Sequence, residues 1–279
     1  MDSADKRTTA LKGLDLSGKC ILEFGPLNRP LVPKAAGVYY ADHCSTEDLR
    51  NKYANDPNVN VADIAEVDVD LTQMKFRDFA STHGPLDAVV ASHVIEHIPD
   101  LISWLKDIHD ALVPGGVLAL VVPDKRFTFD LHRRETPLWR IEDDYEQRRT
   151  RPGLPVVLDH FCNVANVHQH TLWLEYRLGA EILPAHGNPS AFDPSHLIQA
   201  WHAGHYIDTH CLVVTPWRFV EIIGALSAKY DMPWHLKFIQ PTAHNELEFY
   251  VQLQKGGEPT DWSARAADVR RYALRPELV

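Results

Sequence analysis

Short apolar runs alternating with helix-compatible stretches constrain this 279-residue chain more than any other feature. Residues 20–24, 38–41, 86–91 and 117–122 are mostly or wholly apolar and too short for buried helices, so they read as strands covered on both faces. Residues 64–71 alternate apolar side chains with Glu66, Asp68 and Asp70 and read as another strand. Between these runs, 46–54 begins with Thr46, Glu47 and Asp48, a cap followed by an acidic first turn. After Pro99 and Asp100, Leu101, Trp104, Leu105 and Ile108 fall at helical spacing. Strands alternating with helices predict a doubly wound, mostly parallel α/β sheet. Ligands of such sheets lie beyond the carboxyl ends of the strands. Those ends carry Glu23 and Gly25, Asp42, Asp68, and Ser92 with His93. Gly25 permits a tight turn and a close backbone approach by a ligand.

Composition narrows the function. With 45% hydrophobic and 24% charged residues, the chain suits one large domain carrying an insertion. A net charge of −10 argues against a nucleic-acid partner. None of the four cysteines is paired as C-x-x-C, which argues against a disulfide frame or zinc knuckle and for a reducing compartment. The polar first residues hold no apolar leader, and no run approaches the ~20 apolar residues of a membrane span. A cytoplasmic protein is expected, with 1–12 as a mobile tail and 261–272 as a surface helix.

Six segments carry a resemblance. Glu23-Phe24-Gly25-Pro26-Leu27-Asn28-Arg29-Pro30 resembles the first motif of class I S-adenosylmethionine (SAM) dependent methyltransferases of the small-molecule type. Leu27 and Arg29 stand where that family usually has further glycines. The strand ending in Asp42-His43 resembles the second motif, and 66–70 the third. Residues 87–100, reading DAVVASHVIEHIPD, are similar to the fourth strand and its loop. Leu112-Val113-Pro114-Gly115-Gly116 matches the turn before the fifth strand, and 210–225 the late strand-and-helix segment. The likeness runs over 14–125 and 206–254 in the family's order. It implies a Rossmann-like seven-stranded sheet whose last two strands, near 235–240 and 247–254, form an antiparallel pair. It implies SAM as cofactor, held by Glu23, Gly25, Pro26, Asn28, Arg29, Asp42, His43, Asp68, Val69, Ser92 and His93. Asp42 would take the ribose hydroxyls, since a carboxylate offers two acceptors to two adjacent donors. Asp68, with Asp70 next, would meet the adenine amino group.

One domain, 1–279, is therefore expected, with 124–205 as a helical lid inserted after the fifth strand. Helices are expected there near 138–148, 156–178 and 195–202, followed by a helix from Thr215-Pro216 to 228. The lid aromatics Trp139, Trp173, Tyr176 and Trp201 suit a pocket or a dimer contact, and the oligomeric state is not legible. Lys125, Arg126, Arg133 and Arg134 suit either an acidic acceptor or a solvated face paired with Glu142, Asp143 and Asp144.

Eight of the 16 histidines fall between His160 and His210: His160, His168, His170, His186, His196, His202, His205 and His210. They allow a general base with Asp208 orienting a histidine, a divalent metal held by His and Asp, or satisfied polar residues on the lid's inner face. Candidate catalytic residues are His132, His205, Asp208 and His210. His93-Val94-Ile95-Glu96-His97 also fits the H-x-x-E-H spacing of zinc peptidases. That use needs a full helix, whereas a strand enters this motif and Pro99 follows it, so no metal site is expected and His97 is expected to line the loop.

The expected activity is methyl transfer from SAM to a small-molecule acceptor such as a sugar, glycan precursor or secondary metabolite, acidic groups included, with oxygen favoured over nitrogen or carbon. The alternatives are a cyclase or decarboxylase on this scaffold, or a non-catalytic binding subunit, for which Leu27 and Arg29 speak.

Overall fold

The computed structural model describes residues 3–167, 172–173, 182–185 and 192–273. Its strands are β1 (Ile21–Phe24), β2 (Val38–Asp42), β3 (Val69–Asp70), β4 (Leu86–Ser92), β5 (Leu112–Pro123), β6 (Trp234–Gln240) and β7 (Glu248–Lys255). They form one sheet in the order β3-β2-β1-β4-β5-β7-β6. Pairings are parallel from β3 through β5, and β7 runs antiparallel to both β5 and β6. The described helices are α1 (Ser3–Ala10), α2 (Thr46–Lys52), α3 (Phe76–His83), α4 (Leu101–Ala111), α5 (Leu138–Glu146), α6 (Leu154–Asn163), α7 (Ser195–His202), α8 (Pro216–Lys229) and α9 (Trp262–Ala273).

The two faces of the sheet are covered differently. Leu22, Phe24, Val89, Ala91, Leu118 and Leu120 point to the face packed by α3, α4, α8 and α9, the larger core. Ile21, Ala88, Val90, Ala119 and Val121 point to the other. There Pro30 and Pro33 prevent a regular crossover helix between β1 and β2. Leu31, Val32 and α1 fill the space instead, with Ala10 buried. The expected mobile tail is thus a docked helix. Gln252 holds its end by donating to the carbonyls of Ala10 (3.0 Å) and Lys12 (3.1 Å).

Other expectations shift for local reasons. The third strand is confined to Val69–Asp70, because the Asp68 carboxylate accepts the Tyr40 N–H (2.7 Å) where the ladder would otherwise continue. The expected surface helix near the C-terminus buries Ala266, Val269 and Ala273 in contact with α8. Helix α6 stops at Asn163, and most of the remaining stretch to 178, with His168, His170, Tyr176 and His186, lies outside the described residues. Among the described residues no helix is long and apolar enough to cross a membrane.

A charged network ties α1 to the carboxyl end of the sheet. His93 follows β4 at φ 54, and its Nε2 lies 2.6 Å from Glu248 Oε2 at the start of β7. Lys6 donates to the same oxygen (2.9 Å), and the Tyr250 hydroxyl donates to Glu248 Oε1 (2.9 Å). Burial disfavours the His93 imidazolium, but bonds to Glu248 and Glu96 outweigh it and raise its pKa to about 9. Burial would raise the Glu248 pKa, yet His93 and Lys6 bring it down to about 2.

Two predictions follow from this packing. A Cβ on Gly224 would lie 2.6 Å from the Trp262 Cβ, so Gly224→Ala is expected to cost ~1–3 kcal/mol in urea denaturation. The cost should shrink in a Trp262→Gly background; equal costs would place the strain elsewhere. For His93, the folded pKa lies above the unfolded ~6.5, so its contribution is complete below that value and is lost as pH rises through about 9. With a side chain 34% exposed, ~1–2 kcal/mol should disappear between pH 7 and 9.5. His93→Gln should flatten that part of the melting-temperature profile, and an unchanged slope would count against the ion pair.

Candidate active site

The turn after β1 is built on a carboxylate that faces inward. The Glu23 oxygens accept the N–H groups of Leu31 and Val32, each at 2.8 Å. Burial raises its pKa to about 7, even though both backbone bonds pull it down. Glu23 therefore shapes the turn. Gly25 sits at φ +60, where a Cβ would stand 2.8 Å from Val94 Cγ2, so the loops after β1 and β4 touch. Leu27 has φ 44, a left-handed backbone at a position the family fills with glycine, and its carbonyl accepts the Ala65 N–H (2.8 Å). Pro26 is buried, Asn28 half-buried and Arg29 exposed along this turn.

The strand-end row is set by sheet register. Asp42 closes β2 and is buried; its Oδ1 accepts the His43 N–H (2.7 Å) and lies 2.6 Å from His43 Nδ1. Its partner across the ladder is Asp70. Asp68 lies before β3, with its carboxylate on Tyr40 N–H and on Lys34. The acid level with Asp42 is thus Asp70, two residues beyond the favoured position. Val69 is buried between them, and Ser92 ends β4 half-buried.

Beyond Ser92 the chain makes a 3-10 turn, Ile95–His97. The Glu96 carbonyl accepts the N–H groups of Cys211 (2.5 Å) and Leu212 (3.1 Å), which lays the segment before α8 across this turn. His210 thereby meets His97, ring centroids 4.8 Å apart at 90°. Asp208, the expected orienting acid, lies 2.8 Å from His97 Nδ1. Asp130, which follows β5 by seven residues, lies 2.5 Å from His210 Nδ1. Among the described residues, donor atoms of Glu96, His97 and His210 all lie within 4.8 Å of one another. Burial opposes the charge on His97, but Asp208 and Glu96 raise its pKa overall.

Of the four catalytic candidates, only His210 and Asp208 reach this cluster. His132 is exposed and engages the Ile182 carbonyl (2.9 Å), and His205 is exposed. Glu96, His97 and Asp130 were not among the candidates. The H-x-x-E-H spacing marked the first two, while nothing local in the sequence ties Asp130 to His210.

Three of the four basic residues after β5 have internal partners, and Arg134 is exposed. Arg133 is buried and bonds Asp130 (2.8 Å), Asp159 (2.8 Å) and the His210 carbonyl (2.9 Å). Arg126 pairs with Asp124 (2.6 Å), and Lys125 donates to the Leu131 carbonyl (2.9 Å). These contacts brace the chain that follows β5. Trp173 stacks on Phe127 at 3.8 Å, Trp201 donates to the Pro152 carbonyl (2.9 Å), and Trp139 is exposed.

A family model described as "Methyltransferase domain" matches residues 3–206. No curated protein matches the sequence. Among solved structures, the chain is similar to an S-adenosylmethionine dependent methyltransferase from Listeria monocytogenes (12% identity, TM-score 0.43, 91% of this chain and 100% of that one). It is similar to magnesium protoporphyrin IX methyltransferase from Synechocystis PCC 6803 (10%, 0.38, 91% and 78%). It covers 51% of the CurJ carbon methyltransferase with 88% of its own length (12%, 0.38). The family match spans most of the chain, and the chain accordingly belongs to the methyltransferase-domain family.

Proposed function

We propose that this protein transfers the methyl group of SAM to a hydroxyl oxygen of a small-molecule acceptor. The observation that carries this reading is the pair of carboxylate-oriented imidazoles, His97 with Asp208 and His210 with Asp130, beside the loop after β4. A hydroxyl must lose its proton to become a good nucleophile, and carboxylate-oriented imidazoles are suited to serve that loss, whether as bases or as ligands of a cation that acidifies the hydroxyl. Nothing comparable is needed for a neutral amine.

SAM supplies an activated methyl on a sulfonium, so the protein's task is alignment and exclusion of water. Gly25 and Pro26 would offer backbone to the methionine end, with Asn28 and Arg29 on the same turn. Asp42 would take the ribose hydroxyls beside His43, and Asp70 the adenine edge beside Val69. Ser92 and the backbone of His93 would border the reacting end. Asp68, in this reading, holds the β2 edge. Residues 124–205 would cover the acceptor as a lid, with Arg133 fixing Asp130 and the His210 carbonyl beneath it.

Calorimetric titration with SAM and S-adenosylhomocysteine tests the placement. Asp42→Ala should weaken SAM at least tenfold, because a charged acceptor of two hydrogen bonds is lost. Gly25→Ala should abolish binding, since the new methyl meets Val94 at a backbone angle only glycine tolerates well. Asp70→Ala should weaken SAM more than Asp68→Ala, which should chiefly lower stability. Full affinity in Asp42→Ala would remove the site from the β2 end.

A further inference from the structure

Glu96 is the least expected side chain in the molecule. It is fully buried, and neither carboxylate oxygen has a hydrogen-bond partner among the described residues. Its one ion pair among those residues is long: His93 Nδ1 lies 3.4 Å from Oε1, while the other nitrogen of that ring bonds Glu248. A carboxylate fully removed from water and paired only at this distance is stabilised further by a second cation.

The surroundings are those of a metal ligand set. His97 and His210 place a ring nitrogen each within 4.8 Å of a Glu96 oxygen and of one another. Both rings spend Nδ1 on a carboxylate, Asp208 at 2.8 Å and Asp130 at 2.5 Å. That outer bond fixes the tautomer and leaves Nε2 to coordinate, as metal-binding histidines characteristically do. Asp130 is itself held by Arg133, and the Glu96 backbone is pinned by Cys211 and Leu212, so the three ligands are gathered without an ion and need only a small closure around one. The H-x-x-E-H spacing contributes Glu96 and His97 only. The first histidine, His93, faces Glu248, and His210 stands in as third ligand from the segment before α8.

We infer that Glu96, His97 and His210 bind one first-row divalent cation of the zinc class. Two imidazoles and one carboxylate favour such an ion over magnesium or calcium, which prefer all-oxygen sets. Three protein ligands leave a further position open, as catalytic rather than structural sites do. Resting on the methyl-transfer reading above, that open position takes the acceptor hydroxyl and lowers its pKa, so that Asp208 and Asp130 act by orienting ligands.

The test uses the full chain without an affinity tag, stripped with chelator and dialysed against zinc, with bound metal counted by mass spectrometry. One tightly held zinc per chain is expected, and cobalt substituted for it should show visible bands of nitrogen-ligated ion. Glu96→Gln, His97→Ala and His210→Ala should each weaken retention at least tenfold, while His202→Ala should match wild type. S-adenosylhomocysteine titration on each variant reports folding and the cofactor site separately. Retention lost with nucleoside binding intact supports the site. Zinc held no better by wild type than by a His97→Ala/His210→Ala double variant overturns it, as does a cobalt spectrum unchanged in that variant. Should a variant fail to fold, His97→Asn serves as the milder probe. Zinc binding without SAM binding would uphold the cation site and sink the methyl-transfer reading; SAM binding without zinc would do the reverse.

Discussion

Buried carboxylates at the carboxyl end of the sheet are the constraint around which this molecule is arranged. A carboxylate removed from water must be matched by donors or cations. Glu23 is matched by two backbone N–H groups, Glu248 by His93, Lys6 and Tyr250, and Asp130 by Arg133 and His210. Each solution ties a distant piece of chain to the sheet. Glu23 fastens the helix-free crossover, Glu248 draws α1 beneath the sheet, and Asp130 brings the segment before α8 against the root of the lid. Glu96 is matched only by the His93 ring at 3.4 Å, with no hydrogen bond to either oxygen among the described residues.

The absence of a helix between β1 and β2 has consequences beyond that loop. A crossover helix would have covered the sheet face that Leu31, Val32 and α1 now share. Its loss makes the N-terminal helix part of the fold, and makes Glu23 a fastener whose own ionisation is strained. The Leu27 backbone stays left-handed without glycine because Ala65 holds its carbonyl. The turn thus keeps its course by long-range hydrogen bonds where the family relies on glycine's freedom, which answers the doubt that Leu27 and Arg29 raised.

The parallel strands were legible because burial on both faces writes itself as apolar runs of strand length. What shifted has one cause. Asp68 and Asp70 both fit an alternating pattern, and only the ladder partner, Asp42 against Asp70, decides which acid ends the strand. The tail at 1–12 looked solvated because Lys6 and Ala10 find partners more than 200 residues away. Asp208 was legible as an orienting acid, but its histidine is His97, 111 positions back, rather than a neighbour in the histidine-rich stretch. Arg133 looked like surface charge for the same reason. Pairing across the fold leaves no local trace.

The histidine cluster has two chemical uses that exclude each other. An imidazole that coordinates a cation through Nε2 cannot also accept a proton there. As a base, one histidine with one acid would suffice, and the second dyad and Glu96 would have no function. As a ligand set, all five residues have one: two nitrogens and an oxygen at the ion, two carboxylates behind the nitrogens. The burial of Glu96 separates the two uses further. A base site is neutral at rest and gains nothing from a carboxylate buried at its back, other than a steep desolvation cost. A cation site requires that negative charge, and the fold supplies it where the loop after β4, the segment before α8 and the chain after β5 converge.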